Sequence, residues 1–212
     1  MTPVAWGLAV VFAVLAVTDW TVVGTGRRAW RPVTKPSALV ALIGVAVTLE
    51  PVDPAVRAWM VVGLVLSLAG DVFLLGSRRW FVPGLVSFLA AHVAYVVGLL
   101  LAPTSPGWML VGLALVAAAA VAAVPRLARL RRGEHASLLG PVVAYLVVIS
   151  AMVVTAFGTA HPWAVAGAVL FYVSDATLAW NRFLTEHRWG PTVVMVTYHL
   201  GQAGLVGWLV QG

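Results

Sequence analysis

No cysteine occurs anywhere in the 212 residues. That removes disulfides, thiol nucleophiles and cysteine metal sites, and it leaves the compartment unread by redox chemistry. Charge is nearly as scarce: 9% of residues are Asp, Glu, Lys or Arg, whereas 62% are hydrophobic. A soluble domain carries roughly 25% charged residues, so this chain has too little polar surface to live in water. The net charge of +6 would suit nucleic acid, but the arginines sit in short clusters between apolar runs. Such clusters read as loop charge at a membrane surface, and no nucleic-acid partner is expected. The signatures of soluble enzymes are missing as well. There is no GxSxG elbow, phosphate loop, HExxH pair or Walker-type glycine turn, and Gly24-Thr25-Gly26 is too short to be more than a loop.

Apolar runs of membrane-spanning length are what the chain has in abundance. A helix needs about 20 apolar residues to cross a hydrocarbon layer about 30 Å thick, because its backbone amides must be bonded within the segment. The qualifying runs are residues 4–24, 37–50, 57–76, 81–101, 107–124, 138–158, 162–180 and 191–210. They predict an all-α bundle of eight transmembrane helices in a single integral-membrane domain, 1–212. The first run lacks a basic lead, and Asp19 stands where a cleavage site would need small residues, so it reads as a retained helix. The second is short; Lys35-Pro36 opens it and Glu50-Pro51 closes it.

Charge tests this count independently, since cytoplasmic loops hold most Lys and Arg. Arg27, Arg28, Arg31 and Lys35 fall in the first loop, Arg78 and Arg79 in the third, Arg126, Arg129, Arg131 and Arg132 in the fifth, and Arg182 and Arg188 in the seventh. Only Arg57 of the 13 basic residues lies on the other side, beside Glu50 and Asp53. The alternation predicts both termini on the non-cytoplasmic side of the cell's inner membrane. Trp30, Trp59, Trp80, Trp108 and Trp163 lie near predicted helix ends, where interfacial anchors belong. Gly70-Asp71 and Ser174-Asp175, 104 residues apart and each followed by leucines, suggest a duplication of four helices.

Ionisable groups at membrane depth cost on the order of 3 kcal/mol or more, so each one points to a partner or a function. Asp71 on the third helix, His92 on the fourth, Asp175 on the seventh and His199 on the eighth are the candidates. Both aspartates lie about one and a half turns from the basic end, and all four side chains could share one cavity opening there. Ser67 precedes Asp71 by one turn; Tyr172, Asp175 and Arg182 form a stripe; Tyr95 follows His92; Tyr198 stands near Gln202. The plainer reading is that a buried Asp or His bonds neighbouring helices as packing glue. Asp19 and Glu50 read as boundary residues, Lys35 as a side chain that snorkels to the headgroups, and the fifth and sixth helices as apolar scaffold.

Several ordered fragments resemble the YhhN-like, lysoplasmalogenase family. They are Thr34-Lys35-Pro36, Leu68-Ala69-Gly70-Asp71 with Leu74-Leu75, Phe88-Leu89-Ala90-Ala91-His92 with Tyr95, Tyr172-Val173-Ser174-Asp175 with Asn181-Arg182-Phe183, and Tyr198 with Gln202. The resemblance implies a multi-pass membrane hydrolase that cleaves the alkenyl ether of a lysoplasmalogen to a fatty aldehyde and a glycerophospho-base, with a lysophospholipid or ether lipid as its partner and no cofactor.

Cleavage of a vinyl ether starts with a proton delivered to carbon and passes through an oxocarbenium-like cation that water captures. It wants an acid and an anion, as paired carboxyls supply in glycoside hydrolysis. Asp71 and Asp175 are the expected pair, with His92 and His199 moving protons or holding water. Lys35, Asn181 and Arg182 are expected to meet the phosphate, and Ser67, Tyr95, Tyr172, Ser174, Tyr198 and Gln202 to line the substrate site. Three other readings stay open: a metal-dependent lysolipid hydrolase, a small proton- or cation-coupled transporter, and a lipid-binding structural protein. The lack of a His pair at helical spacing counts against the first, and the lack of clear broken helices against the second.

Overall fold

The computed structural model describes residues 1–50, 53–132 and 138–210. Among them the chain forms eight α-helices and no strand: α1 Pro3–Gly24, α2 Arg31–Thr48, α3 Pro54–Leu75, α4 Phe81–Leu101, α5 Pro106–Arg132, α6 Leu139–Gly158, α7 Pro162–Phe183 and α8 Gly190–Trp208. Single 3-10 turns, Arg28–Trp30 and Arg78–Trp80, lead into α2 and α4. The starts are written locally. Proline occupies the first turn of α1, α2, α3, α7 and α8, where its missing N–H leaves no bond unmade. The Asp53 carboxylate accepts from Ala55 N at 2.7 Å and so caps α3.

Six helices, α1, α3, α4, α5, α6 and α7, are long and apolar enough to cross a bilayer. Their outward faces carry Val10, Val14, Val17, Leu110, Val121 and Val147, each well exposed. Such a surface suits hydrocarbon, and the fold is a helical membrane bundle. The two remaining helices hold more polar residues and turn them inward: α2 packs on α1 and α3, and α8 packs on α7 and α1.

Helix α2 begins at Arg31, six residues before the expected start, because Pro32 opens its first turn and Pro36 is carried inside the helix. Lys35 therefore sits on a helix wall facing α3, not in a loop from which it could snorkel. Helix α5 runs through Pro125 to Arg132, well past the expected end at residue 124. Pro51, half of the expected stop of the second helix, lies outside the described residues, as do the side chains of Arg28, Arg78, Arg126, Arg129, Arg131 and Arg132.

The packing has an internal repeat. Within each half the first helix packs on the second, the second on the third and the third on the fourth; across the halves α4 meets α6 and α8 meets α2. Helices α7 and α8 meet backbone to backbone, so that a Cβ added at Gly204 would lie 2.7 Å from the Cα of Gly167. Only glycine admits that contact, and it presses the α8 segment bearing Tyr198 and His199 into the bundle.

Candidate active site

Two polar clusters lie between the helices, each built round one aspartate. In the first, Asp71 on α3 is fully buried and both of its oxygens are engaged. Lys35 Nζ of α2 lies 2.8 Å from Oδ1, and the Tyr198 hydroxyl of α8 donates to Oδ2 at 2.8 Å. Asp19 of α1 is buried nearby and accepts from the Thr34 hydroxyl at 2.6 Å, so it is an interior residue rather than a boundary one. Trp20 donates its indole N–H to His199 Nδ1 at 3.0 Å. An indole nitrogen can only donate, so the neutral His199 carries its proton on Nε2.

The second cluster is organised by α7, and it is less sealed. Asp175 keeps 14% of its side chain exposed. The Tyr145 hydroxyl of α6 donates to Asp175 Oδ2, and His92 Nε2 of α4 stands 3.7 Å from the same oxygen. His92 Nδ1 is 2.6 Å from the carbonyl oxygen of Phe88. A carbonyl can only accept, so the neutral imidazole carries its proton on Nδ1 and turns an unprotonated Nε2 toward Asp175. At 3.7 Å the two groups are too far apart for a direct hydrogen bond, and His92 Nε2 has no hydrogen-bond partner among the described residues.

Phe88 and Phe171 stand between the clusters. The Phe171 ring packs edge-on to His92 at 4.6 Å and to Tyr198 at 5.3 Å, and Phe88 packs on Tyr198 at 5.9 Å. The two aspartates open differently. A hollow of about 370 Å³ between α5, α6 and α7 has Asp175 and Tyr145 in its wall, together with Ala119, Ala122, Tyr172 and Ala176. A smaller one joins Asp175 and Tyr145 to Arg182, Phe81 and Phe88. Asp71 and His199 border neither.

The other expected site residues are spread over both clusters and their surroundings. Tyr95 donates to Gln202 Oε1 at 2.6 Å and lies 3.4 Å from the Ser67 hydroxyl, a buried chain linking α3, α4 and α8. Ser174 donates to the Val194 carbonyl and ties α7 to α8. Asn181 accepts from the His187 amide and so closes the turn after α7. Tyr172 lines the larger hollow, and Arg182 lies over the Phe81 ring at 4.8 Å. Among the described residues no three His, Asp or Glu side chains come together as metal ligands, so the metal-dependent reading finds no ligand set there.

The sequence model of the YhhN family matches residues 30–209, a stretch that takes in both clusters except Asp19 and Trp20. The chain belongs to the YhhN family. It is 30% identical to mouse lysoplasmalogenase TMEM86B over 187 residues, covering 84% of this chain and 78% of that protein. With a lysoplasmalogenase of Mycobacterium tuberculosis it shares 36% identity over 172 residues, covering 76% and 62%. With human lysoplasmalogenase TMEM86B it shares 33% over 141 residues, covering 66% of this chain and 58% of the relative. No solved structure matches.

In this YhhN-family chain the residue that sequence reasoning missed is Tyr145. Helix α6 looks like inert scaffold, yet its one tyrosine holds the Asp175 carboxyl. The signal was present: there are only four tyrosines in the chain, and a hydroxyl in an apolar helix needs a partner. Asp19 and Thr34 were legible by the same rule.

Proposed function

We propose that this chain is a membrane-embedded hydrolase that cleaves the alkenyl ether of a lysoplasmalogen, releasing a fatty aldehyde and a glycerophospho-base. Family membership and the lysoplasmalogenase relatives support the substrate class. The observation that carries the mechanism is the placement of Asp175 in the wall of an apolar hollow, with an unprotonated imidazole nitrogen 3.7 Å from its carboxyl.

In this reading the protonated Asp175 carboxyl delivers its proton to the ether's β-carbon, and the double-bond electrons form the new C–H bond. The resulting oxocarbenium ion lies beside the carboxylate just formed, which stabilises it. Water, activated by His92 Nε2, adds to the cationic carbon and gives a hemiacetal. That hemiacetal expels the glycerol oxygen, which takes up a proton as the hydroxyl loses one, and the aldehyde is left. Tyr145 fixes the carboxyl, while Phe88 fixes the imidazole tautomer. Arg182, bordering the smaller hollow, is placed to meet the phosphate.

Asp71, engaged through both oxygens, and His199, held by Trp20, act in this scheme as positioning residues. Lys35 is committed to Asp71 and does not serve the headgroup. The basic ends of the helices face the cytoplasm of the inner membrane, all eight helices span, and both termini lie outside; the alternation of loop charge supports this orientation.

The test is mass spectrometry of the products formed in detergent from lysoplasmalogen and from matched saturated-ether and ester lysolipids. Aldehyde is expected from the alkenyl lipid alone. Binding without any product would reject the hydrolase and favour a carrier.

A further inference from the structure

Helix α5 packs on α6 and stands off α7, so a groove runs between α5 and α7. It has two arms. The hollow at Asp175 is one, and a second of about 580 Å³ runs along α7, from Val169, Val153 and Val116 at one end to Asn181, His187 and Trp189 at the other. Both arms share Ala119 of α5 and the α7 stripe Tyr172, Ala176 and Trp180, which recurs every four residues and so forms one continuous wall. The room exists because α5 offers alanines at 119, 122 and 123 where larger side chains would close it. From Asp175 to Val169 the helix rises about 9 Å, away from the end that carries Arg182. Over this stretch, away from Asn181 and His187, the wall of the second arm is apolar, with Val153 and Val116 sealing its depth.

We propose that this α5–α7 groove seats the hydrocarbon chain of the substrate and measures its length. The inference rests on the alkenyl-ether reading above and adds to it the direction of the lipid. The glycerophospho end lies toward Arg182, the vinyl ether lies at Asp175, and the chain passes over Ala176 and Tyr172 to end against Val116, Val153 and Val169. An apolar chain belongs here because a water-filled hollow with such a wall would leave its waters without partners. Continuity with the wall that holds Asp175 also lets the chain enter sideways from the bilayer without its head leaving the interface.

The test replaces Ala119, which lines both arms, with Phe, and uses Ala118→Phe on the exposed face of α5 as the control. Cleavage of a long-chain alkenyl lysolipid should fall at least tenfold in Ala119→Phe, while a short-chain analogue reacts within twofold of the parent rate and the control changes neither. Equal loss on both chain lengths, or no loss on either, overturns the groove assignment. Should Ala119→Phe fail to fold, Ala119→Leu gives the same contrast at smaller size. A saturated alkyl lysolipid with a photoreactive group at its chain terminus provides a readout that needs no turnover. Labelling of peptides containing Val116, Val153 or Val169, competed by unlabelled lipid, supports the groove; labelling confined to the outer faces of α1 and α5 rejects it. If labelling succeeds while the parent protein releases no aldehyde, the hydrolase reading fails and the groove stands.

Discussion

The Asp71 and Asp175 clusters are built to one plan and differ in what fills them. Each aspartate comes from the third helix of its half and is met by the second helix of the same half and the fourth helix of the other. For Asp71 these partners are Lys35 and Tyr198; for Asp175 they are Tyr145 and His92. In the first cluster a resident cation neutralises the carboxylate and the site is closed. In the second the cation's position is taken by a neutral hydroxyl, both recorded partners of the carboxyl among the described residues meet the same oxygen, and a hollow opens beside it. One aspartate is thus closed off by an ion pair, and the other is held by a neutral hydroxyl beside open space, the arrangement the proposed proton donor needs.

The contrast breaks most directly at the two carboxyls. Asp175→Asn removes the transferable proton and should lower kcat by about 10³-fold or more, with thermal stability in detergent little changed; a fully active variant would sink the assignment. Asp71→Asn should act the other way. It strands Lys35 in the interior, which costs about 3–5 kcal/mol, read as a fall in the unfolding midpoint. Adding Lys35→Met should restore most of that midpoint, because the stranded charge is gone. A double variant as unstable as the single one would show that the ion pair is not what Asp71 serves.

The histidines sharpen the comparison because their tautomers are opposite. His92→Gln removes the nitrogen that faces Asp175, and kcat should drop about 100-fold with KM nearly constant. His199→Gln, away from the hollow, should change kcat less than about threefold, since its Nδ1 only accepts from Trp20. Equal kinetic losses in the two variants would contradict the division of roles.

Sequence carried the architecture and most of the polar residues, but not their pairing. Hydropathy over about 20 residues marks a helix that must satisfy its own backbone, so the eight helices and the presence of Asp71, His92, Asp175 and His199 within them were readable. Pairing depends on rotation about each helix axis, and a one-residue change in a helix start moves that by about 100°. The start of α2 shows the consequence: taken at residue 37, it leaves Lys35 in a loop, whereas taken at Arg31 it aims Lys35 at Asp71. The hollow was illegible for a different reason. A run of alanines in α5 has the same apolar character whether it packs tightly or leaves room, and only the distance to α7 decides.

The smallest expected effects come from the two tyrosines that donate to the aspartates, and they test the plan itself. Tyr145→Phe and Tyr198→Phe each delete one hydroxyl from a bond to a carboxyl, a change of about 1–3 kcal/mol. If the clusters differ as described, the same chemical loss should be read in different currencies. At Asp175 the hydroxyl orients a group that must meet the substrate, so Tyr145→Phe should lower kcat about tenfold and barely move the unfolding midpoint. At Asp71 the hydroxyl only helps to hold a closed ion pair, so Tyr198→Phe should lower the midpoint by a few degrees and leave kcat within about twofold. Equal kinetic defects in the two variants would mean that the closed cluster participates in the reaction, and that the two halves work as one site.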